Sequence, residues 1–190
     1  MKKKSTVILV AVIAVIVILI IAVVSGYNGL VDKSEAVEDA RSSISTMLQR
    51  RADLIPNFVS TVKGYSDYEK ETYTAVTEAR SAVQKANTVS EQQDAQTKLD
   101  GAISVWVNAI TEAYPELKAN TQYTALLDEL AGTENRIAVA RKDYNSAAKT
   151  LNVSVRRFPN NIVAGIFGFE KADYFEADSN SSSVPEVSFD

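Results

Sequence analysis

Histidine and cysteine are both missing from the 190 residues of the chain. Without an imidazole, Ser-His-Asp and Cys-His catalysis, ordinary zinc sites and the Glu-x-x-His ligands of di-iron bundles are excluded. Without a thiol there are no disulfides, no redox chemistry and no lipid attached through sulfur, a pattern that suits an exported domain built without covalent staples. Glycine and proline are scarce, at 7 and 4 residues, so helices meet few interruptions. Acidic residues outnumber basic ones, 24 to 20. Past Tyr27 the basic residues form nothing larger than adjacent pairs such as Arg50-Arg51 and Arg156-Arg157. A nucleic acid partner, which needs a dense positive stripe, is therefore not expected.

What the chain has in excess is apolar surface in one place. Residues 6–24 run TVILVAVIAVIVILIIAVV without a charge. Roughly 19 helical residues cover nearly the whole ~30 Å hydrocarbon core of a bilayer. A cleaved signal peptide competes for this segment, because Lys2, Lys3 and Lys4 form a positive leader and Ser25 is small. The apolar run exceeds the usual length of about 7–15 residues for a signal core, and Val23 with Ser25 makes a poor cleavage pattern. The expectation is an uncleaved transmembrane helix over residues 6–25, after a cytoplasmic stub of residues 1–5. On the far side only Lys33 and Arg41 lie within reach, among Asp32, Glu35, Glu38 and Asp39. That bias keeps the N-terminus in the cytoplasm and places the remaining polypeptide on the extracytoplasmic side of the cell membrane.

Helical periodicity dominates the rest. Leu30, Ser34, Val37, Arg41, Ile44, Leu48 and Arg51 step by threes and fours, the mark of a one-sided helix. Gly26 and Gly29 leave the junction with the span either continuous or hinged. Pro56 restrains Ile55 and is welcome in a first turn, so a break near Asp53 is expected, with Asp53 capping a second helix. That helix runs to about Ala86 on Phe58, Val62, Tyr65, Tyr73, Val76, Ala79 and Val83. Ser90 and Gln93 read as a capping box for a third helix carrying Leu99, Ile103, Trp106 and Ile110 inward. Tyr114-Pro115 ends it, and a fourth extends from near Asn120 to about Arg157, tolerating Gly132. The expected class is all-α: an elongated antiparallel four-helix bundle, coiled-coil-like, over residues 27–157, preceded by a single transmembrane helix. Enough chain remains for one domain with a real core.

Several blocks carry a resemblance. Tyr27-Asn28-Gly29-Leu30-Val31, the run from Leu48 to Val59 (LQRRADLIPNFV) and Thr61-Val62-Lys63-Gly64-Tyr65 are similar to the LemA family. So are Val76-Thr77-Glu78-Ala79-Arg80, Tyr144-Asn145 and the run from Phe158 to Phe169 (FPNNIVAGIFGF). The resemblance covers the chain from the anchor to about Phe175, and RRADLIPN is its most specific part. It implies a bacterial-type, membrane-anchored helical bundle with no established enzymatic activity. It also implies scaffolding or adaptor work, since some members are associated with membrane proteases or with remodelling of internal membranes. Asp67-Tyr68-Glu69-Lys70 departs from relatives that carry a histidine before the glutamate, so no metal or pH-sensing role carries over there.

No catalytic site, cofactor or metal is expected. Glu112 and Glu116 sit a helical turn apart and read as a solvated face, because no loop concentrates oxygen ligands. Nothing positions a Ser-Lys dyad. Arg50, Arg51 and Asp53, with Asn57 and Lys63 in the same stretch, form a candidate corner. They cap and pair within the bundle, or two guanidiniums clamp a partner's carboxylate. Residues 158–175 begin with an apolar segment too short to span a bilayer. It caps the bundle, or Ile162, Val163, Ile166, Phe167 and Phe169 touch lipid or a second copy. Helix parity brings it back toward the membrane. Residues 176–190 are acidic, serine-rich and without a fold of their own. The sequons at Asn152 and Asn180 are read as chance.

Two function classes follow. One is a non-enzymatic envelope scaffold or adaptor whose partners are the lipid bilayer and proteins, a membrane protease or further copies of itself. The other is a membrane-shaping protein that binds lipid through its apolar C-terminal segment.

Overall fold

The computed structural model describes residues 2–62 and 70–176. Among these residues the regular structure is helical, with no strand, so the all-α class holds. Helix α1 spans Lys2–Val62, α2 Lys70–Lys85, α3 Val89–Ala113, α4 Thr121–Arg156 and α5 Asn160–Phe167, with a short 3₁₀ turn at Pro115–Ala119 before α4. The chain divides into two compact units. The first holds residues 1–44 and Val139–Asp173, and the second holds Ser45–Ala138 with the segment from Tyr174 onward. Lys63, Tyr65 and the departure at residues 67–69 lie outside the described residues, as do Asn180 and the acidic tail beyond Glu176.

Helix α1 corrects the expected break. It passes through Pro56 without ending, so Asp53 caps nothing and RRADLIPN is helix interior rather than a corner. A proline inside a helix loses a hydrogen bond and costs about 3 kcal/mol. The surrounding turns offset that loss, because Ala52, Ile55, Phe58 and Val62 are almost wholly buried. Each fully buried large apolar side chain returns about 1.5–3 kcal/mol. Local backbone preference argued for a stop, and packing overrules it. The glycines at 26 and 29 likewise sit within continuous helix.

In the first unit, Leu30, Val37 and Ile44 of α1 and Tyr144, Ala148 and Leu151 of α4 are buried. Burial pushes the Tyr144 phenol above its ordinary pKa. Asn152, buried on α4, makes two bonds with one residue: its Nδ2 donates to the Ala172 carbonyl at 2.8 Å and its Oδ1 accepts from the Ala172 amide at 2.8 Å. This paired amide clip pins the chain after α5 to α4. The asparagine that resembled a stray sequon is a structural fastener.

The second unit contains four helical segments, from α1, α2, α3 and α4. Phe58 meets the ring of Trp106 edge-on at 4.9 Å and that of Tyr123 at 5.3 Å. Tyr123 Oη shares a 2.8 Å hydrogen bond with Thr111 Oγ1, so the phenol is buried with its polar end satisfied. Helix α3 begins two residues earlier than expected. Thr88, not Ser90, is the N-cap: its hydroxyl accepts from the Glu91 amide, and the Glu91 carboxylate accepts from the Thr88 and Asn87 amides. Those two backbone bonds hold the Glu91 carboxyl below the usual carboxylate range. A carboxylate satisfies two free N–H groups better than the neutral Gln93 amide would, which decides the register of the cap. Asn120 caps α4, accepting from the Gln122 and Tyr123 amides.

Replacing Thr88 with alanine is expected to destabilise the second unit by about 1 kcal/mol in denaturant titrations. Because the Glu91 pKa is depressed, its contribution is present above the unfolded carboxylate pKa and is lost as pH falls through the folded one. Wild type should therefore lose helicity on acidification in part through this cap. The Glu91→Gln variant, followed by circular dichroism, should show a smaller acid-induced loss.

Candidate functional site

The arginine-rich stretch lies on α1 in the second unit, and its side chains are engaged by neighbouring helices. Arg51 falls on the inward stripe of α1, so its guanidinium is driven into the core, with the side chain 3% exposed. It pairs with Asp100 of α3 at 2.5 Å and, through Nη2, with Glu134 of α4 at 3.3 Å. One residue earlier the helix has turned by about 100°, so Arg50 points toward solvent. Arg50 Nη2 pairs with Glu129 Oε1 of α4 at 2.7 Å, and Arg136 reaches the same oxygen at 3.2 Å. The hydrogen bond from Arg136 chiefly, helped by the charge of Arg50, holds the Glu129 carboxyl below its ordinary range. Asp53 accepts from Gln49 Nε2 at 2.9 Å and lies 3.7 Å from Arg80 of α2. Asn57 contributes its carbonyl, which accepts from the Thr61 hydroxyl at 3.0 Å.

These contacts tie α1 to α2, α3 and α4 of the second unit. Both guanidiniums face carboxylates of their own chain. Glu112 and Glu116 do not share a helix face, because α3 ends at Ala113 and Glu116 belongs to the 3₁₀ turn. Among the described residues no group of three or more carboxylates is placed to hold a metal ion.

The apolar segment lies in the first unit and is brought against the end of the apolar run of α1. A Cβ on Gly26 would stand 3.3 Å from Asn160 Oδ1 and 3.4 Å from Val163 Cγ2. The bare glycine is therefore what admits α5 this closely. Tyr27 meets the rings of Phe167 at 4.8 Å and Phe169 at 5.6 Å, both edge-on. Gly168 ends α5 in the left-handed conformation at φ 76°, turning Phe169 back toward Tyr27. Val163 and Ala164 are buried, and Phe169 is partly covered. Ile162, Ile166 and Phe167 remain exposed. The five residues thus divide between a packed face and a bare one. Phe158, which periodicity did not single out, is the most exposed of the group at 76%. Its position outside both helices, between α4 and α5, left no periodic signal to find it by.

Residues 6–25 are exposed throughout, and α1 is, among the described residues, the one helix long and apolar enough to cross a membrane. Fold and surface together define a helical protein with one candidate transmembrane helix.

The chain belongs to the LemA family, whose profile matches residues 40–189. It is 29% identical over 175 residues to magnetosome protein MamQ 2 of Paramagnetospirillum magneticum, covering 79% of this chain and 64% of that protein. It is 27% identical over 174 residues to magnetosome protein MamQ of Magnetospirillum gryphiswaldense, covering 78% and 64%. Protein LemA of Metamycoplasma hominis is 26% identical over 153 residues, covering 79% of this chain and 68% of its own length. The chain therefore spans a little under two thirds of the MamQ relatives. Family and apolar helix make it a LemA-like, membrane-associated protein.

Two substitutions separate the neighbouring arginines. Arg51→Met should cost about 2–4 kcal/mol in chemical denaturation, since it strands Asp100 and Glu134 without their buried cation, a loss tempered by their partial exposure. Arg50→Ala should cost no more than about 1 kcal/mol, as exposed pairs do. At Gly26, valine should loosen α5 and lower the melting temperature. Gly29→Ala, whose Cβ meets nothing nearer than Lys33 Nζ at 3.7 Å, should raise stability by about 0.5–1 kcal/mol.

Proposed function

We propose that the protein is a non-enzymatic scaffold or adaptor of the cell envelope, acting through protein-protein contacts. It is anchored by a single pass with the N-terminus in the cytoplasm and the helical bundle that follows the span on the extracytoplasmic side. The observation that carries this reading is the character of α1 up to Ile44. Its exposed apolar run continues without a break into the packed stripe that starts at Leu30. A continuous backbone ladder transmits the position and rotation of a membrane span to the helices packed on it, and a flexible linker would not. Fixed presentation of helix faces is what a scaffold needs. The excess of lysine before the span supports the orientation. Exposed apolar residues on the helical surfaces, Val105 on α3 and Val139 and Val153 on α4, offer points for a partner to dock. The candidate partners are a membrane protease and further copies of this chain. Membership in the LemA family and likeness to magnetosome proteins support a membrane-associated role.

A second reading, membrane shaping, is favoured by the bare apolar face of α5. It requires the full chain to tubulate liposomes and the double variant Ile162→Asp, Ile166→Asp to abolish that effect.

Photocrosslinkers at positions 105 and 139, activated in cells, should give adducts of discrete mass that contain another protein or a second copy. A protein that is strictly monomeric after extraction from the membrane, with no adduct from either position, would remove the scaffold reading.

A further inference from the structure

We propose that α5 is a lipid-contacting helix that lies in the acyl-headgroup boundary of the leaflet where the span ends, with Phe158, Ile162, Ile166 and Phe167 facing lipid. The proposal rests on the reading of α1 as membrane-crossing and deepens it by assigning a second lipid contact outside the span.

The level is set by counting. From Thr6 to Tyr27 the helix rises about 31 Å, the thickness of a hydrocarbon core, so a span beginning at Thr6 brings Tyr27 to the interface where tyrosine is favoured. Helix α5 and the turn after it are held at that level by four contacts: Asn160 and Val163 on Gly26, and the rings of Phe167 and Phe169 on Tyr27. Its outer face is apolar and open, with Ile162 52%, Ile166 68% and Phe167 51% exposed. Residues 158–169 carry no ionisable side chain. Charge returns on both sides, with exposed Arg156 and Arg157 before and exposed Glu170 and Lys171 after. The arginines can lay their stems on apolar surface while their heads reach lipid phosphate.

Continuity selects lipid as the occupant. Helix α5 packs on Gly26 and Tyr27, which follow directly in α1 on Val23 and Val24, themselves exposed residues at the end of the apolar run. Solvent that suits those two valines reaches α5 as well. A helix lying flat beside a span also resists sliding of the span along its axis, so the pair sets insertion depth.

The cysteine-free chain permits single spin labels. Full-length protein is reconstituted in phosphatidylethanolamine-phosphatidylglycerol vesicles with a nitroxide at Ile166→Cys, Ile162→Cys, Val12→Cys or Lys142→Cys. Collision with oxygen and with a water-soluble nickel chelate is then compared by power-saturation spectroscopy. The expected result is an oxygen-to-nickel ratio at Ile166 and Ile162 several-fold above that at Lys142, and below that at mid-span Val12. A Lys142-like ratio at both α5 positions, with Val12 in lipid, overturns the proposal and leaves the anchor standing. Exclusion of both colliders at Ile162 and Ile166 would mean that protein covers α5, and that overturns it too. A water-like ratio at Val12 overturns the anchor itself, and the proposal with it.

Discussion

A seven-residue recurrence of buried side chains along α1 is the constraint from which the packing follows. Leu30, Val37, Ile44, Arg51 and Phe58 stand on one line, and each is buried. Helix α4 has its own line at Tyr123, Leu130, Ile137, Tyr144 and Leu151, also buried. A repeat of seven keeps one narrow face of each helix turned to its neighbours over many turns. In each unit the two lines supply the floor of the core, and the shorter elements pack on it.

Arg51 occupies one place on that line where an aliphatic residue is the ordinary choice. A cation there is tolerable because Asp100 and Glu134 meet it from two different helices. Buried charges of this kind are weak sources of net stability but strong penalties against misalignment. A slip of either partner helix would leave the guanidinium without its carboxylates, so the pair fixes register in the second unit. The RRADLIPN block thereby takes on a structural meaning: its first arginine decorates the surface, its second locks the core, and its proline rides inside a helix stabilised by its neighbours.

The first unit solves a different problem, joining an apolar run made for lipid to helices made for water. Gly26 removes a side chain where α5 must approach, Tyr27 fills the rim with an aromatic ring, and Asn152 clips the following chain to α4. Three small devices hold an eight-residue helix that could not fold alone.

The helical class, the apolar run, the inward stripes of α1 and α3, the start of α4 near Asn120 and the family resemblance were all legible in the residues. Periodicity and composition are local properties, and they survive whatever the neighbours do. Other features were settled by contacts between distant residues. Pro56 looked like a start signal until the burial of Ile55, Phe58 and Val62 outweighed its lost hydrogen bond. Ser90 read as the cap, and the reach of the Glu91 carboxylate put the cap at Thr88 instead. The split of α5 into a packed face and a bare one could not be read from an uncharged, uniformly apolar string, because only the approach of Gly26 says which side is inside. Nor could the partners of Arg50 and Arg51, which lie roughly 50 to 85 positions away in the chain. Pattern reports what a segment prefers by itself, whereas ion pairs, close approaches and bare faces exist only once remote segments have come together.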